Sequence, residues 1–527
     1  MRVPISVVVI DGLLTPAVIA GPRFLLRWLS QHAARGRGET GARVLIAGAG
    51  AAGELIAKEL RGNADLRLTP VGFVDDDPAK HGHQMVGLPV LGSIDRLDEF
   101  RKRFRVDELI IAMPSAPGSA IREAMRKAED AGLKAKTIPG MFEILSGRVG
   151  ISTLRPIQIE DLLRREPVRT DLDRVQTLVA DRTILITGAG GSIGSELCRQ
   201  VGALYPSRLV ILGHGENSIF NVAGEITELF PALEVIPVIA DVRDRERIFR
   251  IFETYQPSMV FHAAAHKHVP LMEINVVEAI TNNVLGTKNV AEAAAAMAVE
   301  RFVLVSTDKA VRPTNVMGAS KRIAEQIVQG LGERGGRNFI AVRFGNVLGS
   351  RGSVVPIFLR QIEAGGPLTV THPEMRRYFM TIPESVQLVL QAAVLSVGAE
   401  VFVLDMGEPV KIADLASDLI RLSGLEPGRD IEIHYTGVRP GEKLYEELFF
   451  GREHAVPTEH AKVLKARQTV LPSGVDELVQ LLVDRAGSGS SDEDLRDLLK
   501  RLVPDYRPEN SAHNVSAFRV VPARPQA

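Results

Sequence analysis

Cysteine is almost missing from this chain of 527 residues, where Cys198 stands alone. A lone thiol cannot close an internal disulfide, so the fold must rest on packing, and a reducing environment fits. Cys198 itself reads as packing filler, because free cysteine behaves as a small hydrophobe. An excess of either charge is missing too. The 63 Lys and Arg against 64 Asp and Glu leave no global basic field, which argues against nucleic acid as a partner. No metal site is expected.

Long apolar runs are scarce. Residues 3–22 form one, with Asp11 as the sole charge, followed by Arg23, Arg27, Arg35 and Arg37, the cationic flank expected on the cytoplasmic side of a span. Pro4, Gly12 and Pro16 weaken a helix there, and Asp11 would cost about 2.5–3.5 kcal/mol on insertion. No small-residue cleavage site suggests a secretory signal. Residues 1–40 are read as an apolar segment, membrane-inserted or interfacial, with a frayed or packed helix as the alternative.

A chain this long suits two or three cores. Arg43-Val-Leu-Ile-Ala runs into Gly48-Ala-Gly50-Ala-Ala-Gly53 and then an Ala/Glu/Leu-rich stretch, the strand, glycine turn and helix order of a dinucleotide-binding unit. Asp75-Asp76-Asp77 follows a second apolar run, where a ribose carboxylate belongs, and Glu108-Leu-Ile-Ile-Ala adds a third. Residues 41–150 therefore read as a first Rossmann-like domain, either occupied or empty, and 151–180 as a linker.

A stronger signal comes next. Thr183-Ile-Leu-Ile-Thr leads into Gly188-Ala-Gly190-Gly191-Ser192-Ile193-Gly194, and apolar runs near 208–212, 235–240, 259–263, 301–306 and 339–344 alternate with helical stretches such as 276–297 and 318–330. That alternation implies an α/β fold, a doubly wound parallel sheet, over residues 181–470. The cofactor-binding candidates are Gly188, Gly190, Gly191, Ser192, Ile193, Gly194, Glu216, Asp241, Val242 and Ala263. Gly213 takes the place where an adenosine-ribose carboxylate usually stands. Glu216 lies close enough to substitute, so NAD is expected over NADP. Asp241 equally suits a helix cap.

Residues 305–321 read Val-Ser-Thr-Asp-Lys-Ala-Val-Arg-Pro-Thr-Asn-Val-Met-Gly-Ala-Ser-Lys. Short-chain dehydrogenases place a Ser or Thr at a strand end and a Tyr four residues before a Lys on the next helix. Thr307 and Lys321 fit that pattern, and Met317 fills the tyrosine position. A thioether cannot exchange a proton, so acid and base work passes to Asp308 and Lys309. For Met317 alone, core packing is the competing reading.

Four motifs in order extend the likeness. They are His262-Ala-Ala-Ala-His-Lys-His-Val-Pro-Leu-Met-Glu273, the Ser306–Lys321 stretch, Arg343-Phe-Gly-Asn-Val-Leu-Gly-Ser-Arg-Gly-Ser353 and Arg439-Pro-Gly-Glu-Lys443. From Arg23 to about Val470 the chain resembles the large, membrane-associated nucleotide-sugar 4,6-dehydratases of bacterial polysaccharide and glycan synthesis, within the extended short-chain dehydrogenase superfamily. Long members of that family carry several membrane helices before two Rossmann-like domains, and this sequence starts at about the last of those helices. The resemblance implies two Rossmann-like domains, the second an extended short-chain dehydrogenase fold with a smaller C-terminal substrate-binding part. It implies a UDP-N-acetylglucosamine-type substrate that loses water between C5 and C6, with bound NAD carrying hydride from C4 to C6.

In that reading Asp308 protonates O6, Lys309 serves at C5, Thr307 bonds near O4, and Lys321 holds the nicotinamide ribose and favours an alkoxide at O4. Substrate-binding candidates are Lys267, His268, Asn346, Ser350, Arg351, Gly352, Ser353, Arg377, Arg439 and Glu442, with packing as the alternative for His268. A homo-oligomer is expected, at the cytoplasmic face of the bacterial inner membrane, or cytoplasmic if residues 3–22 do not insert. The competing functions are a UDP-sugar epimerase on the same scaffold and a non-catalytic sugar-nucleotide scaffold. Residues 471–527 read as a flexible linker from Ala486-Gly-Ser-Gly-Ser-Ser, a short charged helix at Asp492–Leu502 and a Pro-rich tail, with no chemistry assigned.

Overall fold

A computed structural model describes residues 41–63, 66–138, 154–163, 170–448, 455–466 and 474–508. Residues 3–22, read above as membrane-inserted or interfacial, lie outside the described residues, as does the Pro-rich tail. Among the described residues no helix is long and apolar enough to cross a membrane. The chain divides between Ile157 and Gln158 into two units.

The first unit is a seven-stranded sheet. Its strands are β1 (Ala42–Ala47), β2 (Leu68–Val74), β3 (Gln84–Met85), β4 (Leu88–Gly92), β5 (Glu108–Ile111), β6 (Lys134–Thr137) and β7 (Arg155–Pro156), in the order β3-β4-β2-β1-β5-β6-β7. The five strands from β4 to β6 run parallel, while β3 and β7 are antiparallel edges. Val44, Leu45, Ile46 and the Leu109–Ile111 run are fully buried, as expected of parallel strands covered on both faces. Here the aspartate triplet serves its own backbone. Asp75 accepts from the Ala49 amide of the glycine turn at 2.8 Å and pairs with Lys80 at 2.9 Å. Burial alone would raise its pKa, but Lys80 and the Asp77 and Ala49 amides hold it below the usual carboxylate range. Asp76 accepts from Ser93 and Ile94, and Asp77 caps a short turn through the Ala79 amide.

The second unit holds a nine-stranded sheet of β8 (Thr183–Thr187), β9 (Arg208–Gly213), β10 (Glu234–Ile239), β11 (Met259–His262), β12 (Arg301–Val305), β13 (Asn338–Arg343), β14 (Val401–Leu404), β15 (Ala455–Pro457) and β16 (Val463–Ala466). The order is β10-β9-β8-β11-β12-β13-β14-β16-β15, parallel as far as β14 and antiparallel beyond it. This is the doubly wound arrangement, and strand order reverses between β8 and β11, where such folds open a crevice for ligands. Side chains alternate between two cores. Ile184, Ile186, Leu209, Ile211, Met259 and Phe261 face one, and Leu185, Val210, Leu212 and Val260 the other, the period of two that strands impose. A smaller part, with the helices Val354–Glu363 and Ile412–Leu422 and three two-stranded sheets, stands beyond the strand ends.

Two regions depart from the expectations. The 276–297 stretch is not one regular helix, because π-helical turns occupy Ala279–Leu285 before the α-helix Gly286–Ala296. Asn283 within those turns bonds both the amide and the carbonyl of His266, and Gly286 admits Val242, whose methyl would lie 2.6 Å from a β-carbon there. The end of the described chain is not a loose appendage. Helix Val475–Gly487 and helix Asp492–Leu502 bury Val479, Leu482, Leu495, Leu499 and Leu502 in one of the two cores, and of Ala486-Gly-Ser-Gly-Ser-Ser the first two residues end the first helix and residues 488–491 make the short turn between them. The Asp492–Leu502 helix stands where the sequence placed it, whereas Val475–Gly487, whose apolar residues recur at helical spacing, went unread beside the turn residues.

Candidate active site

At the carboxyl ends of β8, β11, β12 and β13 lies a cavity of about 660 Å³. Its first wall is the glycine turn after β8. Gly188 adopts φ +65°, and a β-carbon there would sit 2.6 Å from the Ala264 amide nitrogen, so the turn closes only without a side chain. Gly191 caps the helix Ser192–Gly202 without any side-chain bond, leaving backbone N–H groups for a phosphate at the helix start. Gly191, Ser192, Ile193, Gly194 and Ala263 line the cavity. A dinucleotide therefore fits this cradle.

The other cofactor candidates stand away from the cavity lining. Gly188 and Gly190 lie in the turn behind the wall, and Glu216 begins the helix Glu216–Leu229. Asp241 is clasped by Arg243, at 3.0 Å from Nε and 2.7 Å from Nη2, and that guanidinium holds its carboxyl below the usual range. Val242 packs against Gly286.

Opposite the glycine turn, Ser306-Thr307 follows β12 and the chain enters a tight turn over Asp308–Ala310. Thr307 Oγ1 accepts from the Lys309 amide at 3.3 Å and donates to Asp308 Oδ1 at 2.8 Å. Lys309 Nζ donates to Asp308 Oδ1 at 3.0 Å and to Asn346 Oδ1 at 3.2 Å, and lies 3.7 Å from Glu446 Oε1. Burial favours the neutral amine, yet Asp308 and Glu446 outweigh it and raise the Lys309 pKa, so the group is an ammonium. Thr307 and Lys309 line the cavity, whereas Asp308 sits one layer behind them, 1% exposed, with Oδ2 lacking a hydrogen-bond partner.

The helix Val316–Gly335 carries Met317 and Lys321 on one face, one turn apart, and both line the cavity. Asn315 caps this helix by accepting from the Gly318 amide at 2.7 Å. Gly318 has no side chain because a β-carbon would run into the Lys309 carbonyl, and this close approach puts Met317 and Lys309 on one wall. Burial pushes the Lys321 pKa down to about 8, with Glu325 pulling the other way.

The substrate candidates all line the same cavity: Lys267, His268, Asn346, Ser350, Arg351, Gly352, Ser353, Arg377, Arg439 and Glu442. Lys267 donates to Ser350 Oγ at 3.3 Å, and burial lowers its pKa. His268 is held toward its neutral form by burial, then by Lys267 and His266. Arg351 reaches across to the glycine turn, donating to the Gly190 carbonyl at 3.1 Å, with its amide 3.2 Å from Ser192 Oγ. It is placed between the cofactor cradle and the rest of the cavity.

Sequence reading missed a layer of buried charge. Glu446 lines the cavity beside Lys309 and lies 3.9 Å from Arg377 Nε. It follows Arg439-Pro-Gly-Glu-Lys443 closely, but nothing separates it from exposed Glu447 in the sequence. Glu325, fully buried one turn below Lys321, accepts from Ser306 Oγ at 2.6 Å, from Arg343 at 2.7 and 2.5 Å and from Arg322 at 2.9 Å. Burial opposes its ionisation, yet the two arginines and Ser306 bring its pKa down to about 2. His262 is locked between Thr187 and Thr287 at 2.7 and 3.0 Å, and burial, helped by Lys321, drops its pKa to about 3.

Residues 184–468 match the family described as "Polysaccharide biosynthesis protein", and residues 8–139 match a "CoA-binding domain". The capsular polysaccharide biosynthesis protein CapD of Staphylococcus aureus is 48% identical over 444 residues, covering 84% of this chain and 74% of that protein. The UDP-N-acetylglucosamine 4,6-dehydratase (inverting) of Campylobacter jejuni is 35% identical over 270 residues, 50% of this chain and 76% of that enzyme. Among solved structures, Pen from Bacillus thuringiensis superposes with a TM-score of 0.50 at 31% identity, covering 58% of this chain and 98% of that one.

Proposed function

The chain belongs to the polysaccharide biosynthesis protein family, nucleotide-sugar dehydratases and epimerases of the extended short-chain dehydrogenase superfamily, and we propose that it is a 4,6-dehydratase acting on UDP-N-acetylglucosamine or a close relative. One observation carries this reading. Where a tyrosine base would face the nicotinamide stands Met317, while Thr307, Asp308 and Lys309 form a hydrogen-bonded chain on the facing loop. An epimerase needs one acid/base at O4. A dehydratase needs proton traffic at O4, C5 and O6, and a linked pair of ionisable groups suits that demand.

A nicotinamide dinucleotide on the glycine cradle would take hydride from C4 and return it at C6. NAD is favoured over NADP because Gly213-His-Gly-Glu216-Asn offers a carboxylate and no arginine after β9. Lys321 supplies positive charge beside O4 as its proton leaves. The Thr307 hydroxyl passes that proton to Asp308, through the 2.8 Å bond between them. Lys309 takes the C5 proton made acidic by the 4-ketone, and Asp308 returns its proton, again through Thr307, to the departing O6. Lys309 then reprotonates C5. Substrate loses one water and every enzyme group ends as it began.

Lys267, Arg377 and Arg439 give the cavity cations for a diphosphate, and Asn346 holds Lys309 in place. The test is incubation with UDP-N-acetylglucosamine followed by mass analysis. Loss of one water is expected. An isomer of unchanged mass would make the protein an epimerase, and unaltered substrate would leave a binding scaffold.

A further inference from the structure

Lys309 presents a chemical problem to the dehydratase reading. To take a proton from C5 it must be an amine, yet two carboxylates hold it as an ammonium on the cavity wall, its side chain only 15% exposed. Asp308 cannot relieve it, since that carboxylate is committed to the proton arriving from O4 through Thr307. A second acceptor stands on the other side. Glu446 Oε1 is 3.7 Å from Lys309 Nζ, its side chain is 3% exposed, and Oε2 is buried without a hydrogen-bond partner.

We infer that Glu446 is the internal proton acceptor for Lys309, the positioning residue that turns its ammonium into the amine required at C5. This rests on the dehydratase reading. The balance closes as follows. One N–H bond of Lys309 breaks and an O–H bond forms on Glu446, leaving a neutral amine beside a carboxylic acid. The amine lone pair takes the C5 proton, the C5–H electrons become the C5–C6 double bond, and the C6–O6 electrons leave with oxygen as water after Asp308 supplies a proton. When hydride reaches C6, Lys309 gives a proton to C5, and Glu446 returns its own to Lys309.

Surroundings of Glu446 allow the exchange. Burial raises its pKa and Asp308 adds to that, while Lys309, Arg377 and Lys443 oppose. A carboxyl so poised accepts a proton more readily than an exposed one. Substrate filling the cavity would displace water and favour the neutral pair further, because low dielectric penalises separated charges. The 3.7 Å gap exceeds a hydrogen bond, so a small side-chain movement completes the contact.

The experiment uses the full chain with bound NAD and UDP-N-acetylglucosamine as probe, comparing wild type, Glu446→Gln and Glu446→Ala for turnover from pH 6 to 9. Glu446→Gln should lower turnover at pH 7 on the order of a hundredfold, with recovery of about tenfold per pH unit as solvent takes over the deprotonation, up to the alkaline fall set by Lys321. Deuterium uptake at C5 should fall in parallel, while thermal unfolding and NAD content stay near wild type. Formate should restore turnover to Glu446→Ala, which a merely structural role would not permit. If Glu446 only stabilised the ammonium, its loss would ease deprotonation and move the acid limb to lower pH. That shift, or turnover within a few-fold of wild type, or no rescue by formate, overturns the inference. A wild type that removes no water from the probe overturns the dehydratase reading and this inference with it.

Discussion

Arg496 grips Glu273 twice, its guanidinium lying 2.8 Å from the carboxylate and 2.7 Å from the main-chain carbonyl. The other carboxylate oxygen of Glu273 accepts from the Val316 amide at 2.6 Å, at the first turn of the helix bearing Met317 and Lys321. The last described helix thus braces the start of the active-site helix. Arg496→Met should therefore destabilise the protein by about 3–5 kcal/mol, the cost of stranding a buried charge, read as a lower denaturation midpoint. An unchanged midpoint would show that the brace carries no load. Leu499→Ala, at a fully buried position of the same helix, should cost about 2–5 kcal/mol.

Loss of a positioned proton-transfer group should mark the Thr-Asp-Lys loop. Asp308→Asn and Lys309→Ala are each expected to lower turnover on the order of a hundredfold or more with NAD still bound. Met317→Leu, close in volume, should cost far less. Near-normal turnover in Asp308→Asn, or equal damage in Met317→Leu, would move the acid/base assignment elsewhere.

Turnover should also need no added cofactor. Because hydride leaves C4 and returns at C6, absorbance from reduced nicotinamide should not accumulate with product. Stoichiometric accumulation would rule out the internal cycle.

With its pKa brought down to about 8, Lys321 gives an alkaline limit. The ammonium is the useful form, so kcat/KM should fall as pH rises through that value. Lys321→Arg keeps its charge across this range and should lack the fall, whatever its absolute rate. A decline of the same shape in the variant would assign it to another group.

Glu325 should contribute to the loss of stability in acid. Its folded pKa of about 2 lies below the ordinary 4.5, so its contribution is present above 4.5 and lost as pH falls toward 2. The shift corresponds to about 3 kcal/mol. Glu325→Gln should remove that acid dependence from unfolding curves measured between pH 2 and 5. A curve parallel to wild type would mean that another carboxylate dominates there.

Much of the doubly wound fold was legible because strand, glycine turn and helix are local patterns, as at Thr183–Ser192 and again at Arg43–Gly53. The wall residues Thr307, Lys309, Met317 and Lys321 were legible for the same reason, being close together in sequence. What stayed hidden depends on partners distant along the chain. Glu325 acquires its role only when β13 brings Arg343 alongside, and Glu446 only when the 439–447 segment folds over Lys309. The acidic triplet after β2 shows the same dependence on context, since an aspartate suited to a ribose is equally suited to the backbone amides it bonds here. Around Ala486, glycine and serine spelled a linker where the unread helix Val475–Gly487 turns a tight corner into the expected helix Asp492–Leu502.

Cys198, on the helix that follows the glycine turn, is fully enclosed, and its thiol is pushed further from ionisation by that enclosure. Alkylating reagents attack the thiolate, so they can reach it only in molecules whose cofactor-binding helix has lifted from the sheet. The chain thus carries a built-in clock: the labelling rate of its one sulfhydryl counts openings of that helix, and a ligand seated on the turn should slow it in proportion to occupancy.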